Sequence, residues 1–245
     1  MTTQQMLAGF RRGITEYKMI RDGDKIAVGL SGGKDSVTLL KLLSAYRKFS
    51  PERFDLIAIT VDLGFIESDH EPLKKFCDEL GVPFILEKTQ IGEVVFDVRK
   101  EPNPCALCAK MRKGALMSAA VKNGCNKVAL GHHADDFIET MLLSLFYEGR
   151  LSTMSPKSLL DRTGIVQIRP MLFLEEKNIA AYAKDLPVTK SCCPANKKTK
   201  REAVKGYIDA IKKDIPFVRD RMYAALMHPE RYNLFDKFQK DIDRF

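Results

Sequence analysis

Short β-rich runs alternating with longer helical stretches constrain this chain more than any other feature. The runs fall at 25–30, 55–61, 83–88, 127–131 and 165–168, with helical candidates near 35–48, 69–80, 106–123 and 135–148. That alternation predicts an α/β fold, a doubly wound parallel sheet with right-handed crossovers. In open sheets of this kind ligands gather beyond the carboxyl ends of the strands. Three segments should therefore face one crevice: the loop at 31–36, Val61-Asp62-Leu63-Gly64, and Gly131-His132-His133-Ala134-Asp135-Asp136. The polar stretch 149–164, or the turn after Arg169-Pro170, is the expected boundary between an α/β domain over 1–170 and a small, basic, mainly helical region over 171–245.

The first of these segments, Leu30-Ser31-Gly32-Gly33-Lys34-Asp35-Ser36, follows the apolar run Lys25-Ile26-Ala27-Val28-Gly29 and leads into a helix with Val37, Leu39, Leu40, Leu42 and Leu43. A strand running into a helix amino end offers free N–H groups and partial positive charge to an anion. ATP is the expected ligand. A Walker loop is excluded, because Val28 stands where glycine is required and Asp35 follows the lysine; the G-x-G-x-x-G fingerprint is missing as well. The loop instead resembles the PP-loop, the S-G-G-x-D-S signature of enzymes that cleave ATP between its α and β phosphates.

Asp62 closes the second run, where it either meets the adenosine of a nucleotide or serves as an ordinary turn residue. Asp135 and Asp136 begin a helix whose apolar stripe is Ile138, Met141, Leu142, Leu145 and Phe146. Capping is their ordinary role, but beside an ATP loop Asp136 is also a candidate ligand for Mg²⁺, which needs one or two carboxylates while it bridges phosphates. Adjacent His132 and His133 point to different sides and do not easily share one metal; hydrogen bonding is the default for one of them. No His-x-x-x-His spacing and no Gly-x-Ser-x-Gly elbow occurs.

Cys105 and Cys108 sit three residues apart at the start of a helix, and Lys110, Arg112 and Lys113 follow them. That setting favours thiolate. The pair alone permits half a zinc site, a redox dithiol or a cluster site. Cys192-Cys193-Pro194, ahead of Lys197-Lys198-Thr199-Lys200-Arg201, offers a third thiol. Three thiolates without a fourth partner suit a closed zinc site poorly, whereas an iron–sulfur cluster on three cysteines leaves one iron open for an extra sulfur. Cys77 and Cys125 are expected to pack as small apolar residues.

The 245-residue chain carries a net charge of +8. Residues 184–245 hold 15 Lys and Arg against 9 Asp and Glu, so most of the excess lies there. The excess fits either solvated helix faces or a polyanion partner. No apolar run approaches the length that crosses a bilayer, and Met1-Thr2-Thr3-Gln4-Gln5 lacks a secretory pattern, so no membrane partner and a cytoplasmic location are expected.

Taken together, Ser31-Gly32-Gly33-Lys34-Asp35-Ser36, Cys105-x-x-Cys108, Gly131-His132-His133-x-Asp135-Asp136-x-x-Glu139-Thr140, Ile168-Arg169-Pro170 followed by Glu176-Lys177, and a late cysteine before a basic helix resemble the PP-loop ATPases of the tRNA 2-thiocytidine synthetase type. The resemblance implies a PP-loop, adenine nucleotide alpha hydrolase-like fold and an ATP-dependent tRNA sulfurtransferase. In such an enzyme the 2-oxygen of a cytidine, at position 32 of the anticodon loop, is adenylated and replaced by sulfur. It implies ATP, Mg²⁺ and a 4Fe-4S cluster. Lys34, Asp35 and Asp136 would be catalytic, and Leu30, Ser31, Gly32, Gly33, Ser36, Asp62 and Gly131 would bind the nucleotide. Cys105, Cys108 and Cys193 would hold the cluster, Cys193 being preferred to Cys192 for its Cys-Pro context. Expected partners are tRNA, a cysteine desulfurase or other sulfur donor, and a second copy of the chain in a homodimer. The region from about 175 would hold tRNA by phosphate contacts, with Tyr182, Tyr207, Phe217, Tyr223 and Tyr232 more as core than as stacking platforms. Two rivals stand beside this reading: another PP-loop pyrophosphatase, acting in 2-thiouridine synthesis or on a small molecule, and a non-catalytic, cluster-bearing ATP sensor.

Overall fold

A computed structural model of the chain describes residues 1–65, 69–99, 104–189 and 200–232. Six strands form one sheet: β1 Asp24–Gly29, β2 Phe54–Asp62, β3 Phe84–Lys88, β4 Lys127–Ala129, β5 Lys157–Leu160 and β6 Ile165–Ile168, in the order β3-β2-β1-β4-β6-β5. All neighbours are parallel except β5, which runs antiparallel to β6 at the edge. The helices are α1 Thr3–Glu16, α2 Lys34–Arg47, α3 Glu71–Glu79, α4 Ile91–Glu93, α5 Pro104–Lys122, α6 Ala134–Glu148, α7 Glu176–Tyr182, α8 Lys200–Asp214 and α9 Val218–Met227. None of the described helices is long and apolar enough to cross a membrane.

The chain visits β1, β2 and β3 in one direction across the sheet and returns to the other side of β1 for β4. The order thus reverses between β1 and β4, the point at which an open α/β sheet leaves a crevice. Both faces of β1 are covered, and Ile26, Ala27 and Val28 are fully buried, as the unbroken apolar run of a central parallel strand requires. Ala27, Ile57 and Ile59 pack against Leu116, Met117, Ala119 and Ala120 of α5, and Cys125 joins this cluster. Cys77 is fully buried as well, and burial pushes its thiol up to about 12. Both cysteines therefore behave as the small apolar residues expected of them. Alkylation of the folded protein at mildly alkaline pH should label exposed Cys105 well ahead of Cys77 and Cys125, which react only on unfolding; peptide mass mapping reads the order.

The described contacts divide the chain into two units. The first comprises Met1–Phe137 and Met154–Thr199 and holds the whole sheet; the second comprises Ile138–Thr153 and Lys200–Phe245. Within the second, Ile138, Met141 and Leu142 of α6 pack on Val204 and Ile208 of α8 and on Met222, Tyr223 and Leu226 of α9. Buried Glu139 meets Arg201 at 2.7 Å and Lys205 at 3.7 Å.

Two features lie outside the sequence expectations and a third departs from them. A capped helix, α1, precedes the first strand, with Met6, Phe10 and Ile14 buried and Thr2 and Gln5 forming a reciprocal capping box. The stretch 149–164 contains strand β5, which turns back to β6 through Gly164 at φ +68°. Of the aromatics expected in the core, Tyr223 packs there, but Tyr207, Phe217 and Tyr232 are exposed.

Candidate active site

The loop after β1 is held open by its own side chains. Leu30 is tied to β2 at both ends, its N–H donating to Ile59 O at 2.9 Å and its carbonyl accepting from Thr60 Oγ1 at 2.7 Å. Ser36, in the first turn of α2, accepts from the Ser31 N–H at 3.1 Å and donates to Gly33 O at 2.9 Å. The chain must therefore bend sharply between these two serines. Gly32 takes φ +82°, a conformation natural to glycine alone, and its carbonyl accepts from Thr189 N–H at 2.9 Å. Gly33 is the N-cap of α2 and has no side chain to fill the space, so the first N–H groups of that helix are left for a ligand.

The turn after β4 presses on this loop. A Cβ placed on Gly131 would lie 3.0 Å from the backbone carbon and oxygen of Asp35 and 3.1 Å from Ser36 N. Backbone on both sides leaves little room to give way. Gly131→Ala should therefore weaken ATP binding about tenfold or more, at an overpacking cost of ~1–3 kcal/mol, while the circular dichroism spectrum stays that of the folded protein. ATP titration of the two proteins checks this.

Beyond Gly131 the side chains converge. Lys34 Nζ lies 3.1 Å from Asp35 Oδ1 and 3.0 Å from Glu176 Oε1. Burial works against its ammonium, but the carboxylates of Asp35 and Glu176 outweigh it and raise the pKa. Buried His133 stands among three carboxylates, with Nε2 at 3.7 Å from Asp35 and 3.5 Å from Asp136, and Nδ1 at 3.6 Å from Asp135. Burial again opposes the charge, yet Asp135, Asp136 and Asp35 together raise the imidazole pKa. Capping is present too: Asp136 accepts from the His133 N–H at 3.0 Å at the start of α6, and Asp135 accepts from the Glu176 N–H at 2.7 Å at the start of α7. His132 faces elsewhere, and its Nδ1 accepts from Arg169 Nε at 3.3 Å. Burial lowers the Arg169 pKa to about 10, against the pull of Asp136.

Asp62 ends β2 and makes its turn, accepting from the Gly64 N–H at 3.0 Å; His70 Nε2 is 3.6 Å from its other oxygen. Cys105 and Cys108 lie in the first two turns of α5, Cys105 exposed and Cys108 buried. Cys192 and Cys193 lie outside the described residues.

The structure thus brings Lys34, Asp35, Asp136 and Gly131 together around the loop formed by Leu30, Ser31, Gly32, Gly33 and Ser36. Four further residues join them: His133, Glu176, Arg169 and Thr189. Glu176 and Arg169 were visible only as parts of motifs, and His133 as one of a pair. Thr189 carried no sequence signal, since its contribution is a main-chain hydrogen bond to Gly32.

The chain matches the PP-loop domain family over residues 6–204. It is 39% identical over 235 residues to the tRNA-cytidine(32) 2-sulfurtransferase of Syntrophotalea carbinolica, covering 94% of this chain and 91% of that one. It is 38% identical over 251 residues to the enzyme of the same name from Pelobacter propionicus, covering 97% and 93%. Among solved structures it resembles the U34-tRNA thiolase NcsA from Methanococcus maripaludis with its 4Fe-4S cluster, at TM-score 0.73 and 24% identity over 96% of this chain and 80% of that one. That last likeness is one of fold.

Proposed function

The chain belongs to the PP-loop family, in the group of the tRNA-cytidine(32) 2-sulfurtransferases, and on that footing we propose that it is an ATP-dependent tRNA-thiolating enzyme. The observation that carries this reading is the meeting of Lys34, Asp35, Asp136 and His133 at the carboxyl ends of β1 and β4, on a loop built for phosphates. The target is the 2-oxygen of cytidine 32, the position in the relatives' name. That oxygen displaces pyrophosphate from the α phosphate of ATP, and replacement of the adenylated oxygen by sulfur releases AMP. Tied to this role are a cytoplasmic location and a cysteine desulfurase or other sulfur donor; a homodimeric state belongs to the same proposal.

The N–H groups of the 31–36 loop and Lys34 take up the charge that develops on the leaving pyrophosphate, in a geometry set before the substrate arrives. Asp62 lies at the end of the neighbouring strand and receives the adenosine. Asp35 Oδ1 is buried and faces the Lys34 ammonium at 3.1 Å and His133 Nε2 at 3.7 Å without an aligned hydrogen bond, so it is an oxygen able to turn to a hard cation. Asp35 and Asp136 would hold Mg²⁺, which when bound neutralises phosphate oxygens. Cys105 and Cys108, three residues apart near the start of α5, would supply two ligands of an iron–sulfur cluster and Cys193 the third; such a cluster would offer an open iron able to carry sulfur.

The test is anaerobic incubation with ATP, Mg²⁺, sulfide and unmodified tRNA, followed by nucleoside mass spectrometry and AMP assay. Expected is 2-thiocytidine at position 32, formed in step with AMP and abolished by Cys105→Ala. AMP formation that a small molecule stimulates and tRNA does not would assign the chain to another PP-loop pyrophosphatase. A 2-thiouridine product would move the target.

A further inference from the structure

The second unit carries an aromatic surface that its own core does not use. Phe146 and Tyr147 end α6 and are 53% and 47% exposed; Tyr207 of α8 is 50% exposed, and its ring stands edge-on to Phe146 with centroids 6.3 Å apart. Lys200 Nζ sits 4.3 Å from the centre of the Tyr147 ring. Leu145 and Ile211 are also exposed on these two helices. Three half-exposed rings with an ammonium among them are a poor solution for a surface that meets only water. They suit a ligand that is flat, apolar on its faces and anionic at its edge.

We propose that Phe146, Tyr147 and Tyr207 form a stacking platform for unpaired bases of the RNA substrate, with Lys200 meeting the adjoining phosphate. This rests on the tRNA reading above and deepens it. Sequence-specific RNA recognition works on loops, whose bases can splay out onto aromatic side chains while cations hold the backbone. The nucleotide in the relatives' name lies in such a loop. Lys212 and Lys213 at the end of α8 extend the positive charge along the same helix. A second copy of the chain is the less suitable occupant, because a two-fold contact would set this lysine-bearing face against itself.

The experiment compares wild type with Tyr207→Ala, Tyr207→Leu, Tyr207→Trp and Phe146→Ala for binding to an anticodon stem-loop and to a blunt RNA duplex of equal length, by fluorescence anisotropy. Expected is a loss of about tenfold or more for the stem-loop with both alanine variants and with Tyr207→Leu, which keeps apolar bulk but removes the ring. Tyr207→Trp should bind as well as wild type or better, and duplex affinity and the salt dependence of binding should be unchanged. Equal affinity of wild type and the leucine variant for the stem-loop overturns the platform and leaves tRNA thiolation standing. Failure of wild type to bind any tRNA overturns the tRNA reading itself. Conversion of a dimer to monomers by Tyr207→Ala, read by sedimentation, assigns the patch to a second copy and overturns the proposal.

Discussion

Lys34→Met lowers the rate of tRNA-dependent pyrophosphate release about 10²- to 10³-fold, the usual effect of removing one preorganised electrostatic group from the site of developing charge. Methionine keeps most of the length and the apolar stem and deletes only the ammonium. Two consequences follow from its contacts with Asp35 Oδ1 at 3.1 Å and Glu176 Oε1 at 3.0 Å. In the proposed role of Lys34, the leaving pyrophosphate loses the ammonium that stands beside the 31–36 loop. The carboxylates of Asp35 and Glu176 also lose their shared counter-charge, beside Asp135 and Asp136, and His133 is left to compensate for them. Glu176→Gln separates the two effects, since it spares the ammonium and removes only part of the surrounding negative charge; its rate should fall severalfold at most. Single-turnover measurement of pyrophosphate release with saturating ATP distinguishes the variants. A Lys34→Met enzyme within fivefold of wild type would mean that the leaving group is stabilised without Lys34, by the backbone N–H groups of the loop and Mg²⁺.

The features that sequence made legible are those with a local physical cause. Gly32 must take positive φ, Ser36 must reach back to Ser31, and β1 must be apolar on both faces; each requirement selects residue types at a fixed spacing. The central strands and the helices between them followed for the same reason. Strand β5 is four residues, Lys157–Leu160, at an antiparallel edge, too short and too polar to show periodicity. Its identity depends on Ile165–Ile168 beside it, which no local pattern reveals. The cluster around His133 is legible only in part, because Glu176 comes to Lys34 and Asp135 through tertiary structure. Tyr207 shows the opposite failure. Its spacing on α8 does not say which residues are buried against α6; Val204 and Ile208 fill that core, while Tyr207 meets Phe146 at its exposed edge.

Removing Lys127 has an equally large effect on stability, at the far end of the same strands. Lys127 opens β4 and is buried, yet its ammonium reaches Asp24 at the start of β1 and the Met19 carbonyl, the latter at 2.8 Å. Asp24 in turn accepts from the Asn126 side chain at 2.8 Å and from the Arg21 N–H at 2.6 Å. Every group in this network has its partner, so the folded chain tolerates two buried charges that would be costly apart. Lys127→Met leaves the Asp24 carboxylate buried without its cation and should destabilise the fold by ~3–5 kcal/mol, the range for breaking a buried pair from one side. Asp24→Asn in the same background removes the orphan charge while keeping an acceptor for Asn126 and Arg21, and should recover much of the loss. Urea denaturation of the single and double variants reads both numbers. A double variant no more stable than Lys127→Met would show that the ammonium contributes through its contact with Met19 and its stem packing rather than through the charge it neutralises. The same network lies at the strand ends remote from the phosphate loop, so the surviving folded fraction of Lys127→Met should bind ATP with wild-type affinity. Loss of stability without loss of affinity is the signature that separates this pair from Lys34 and its carboxylates.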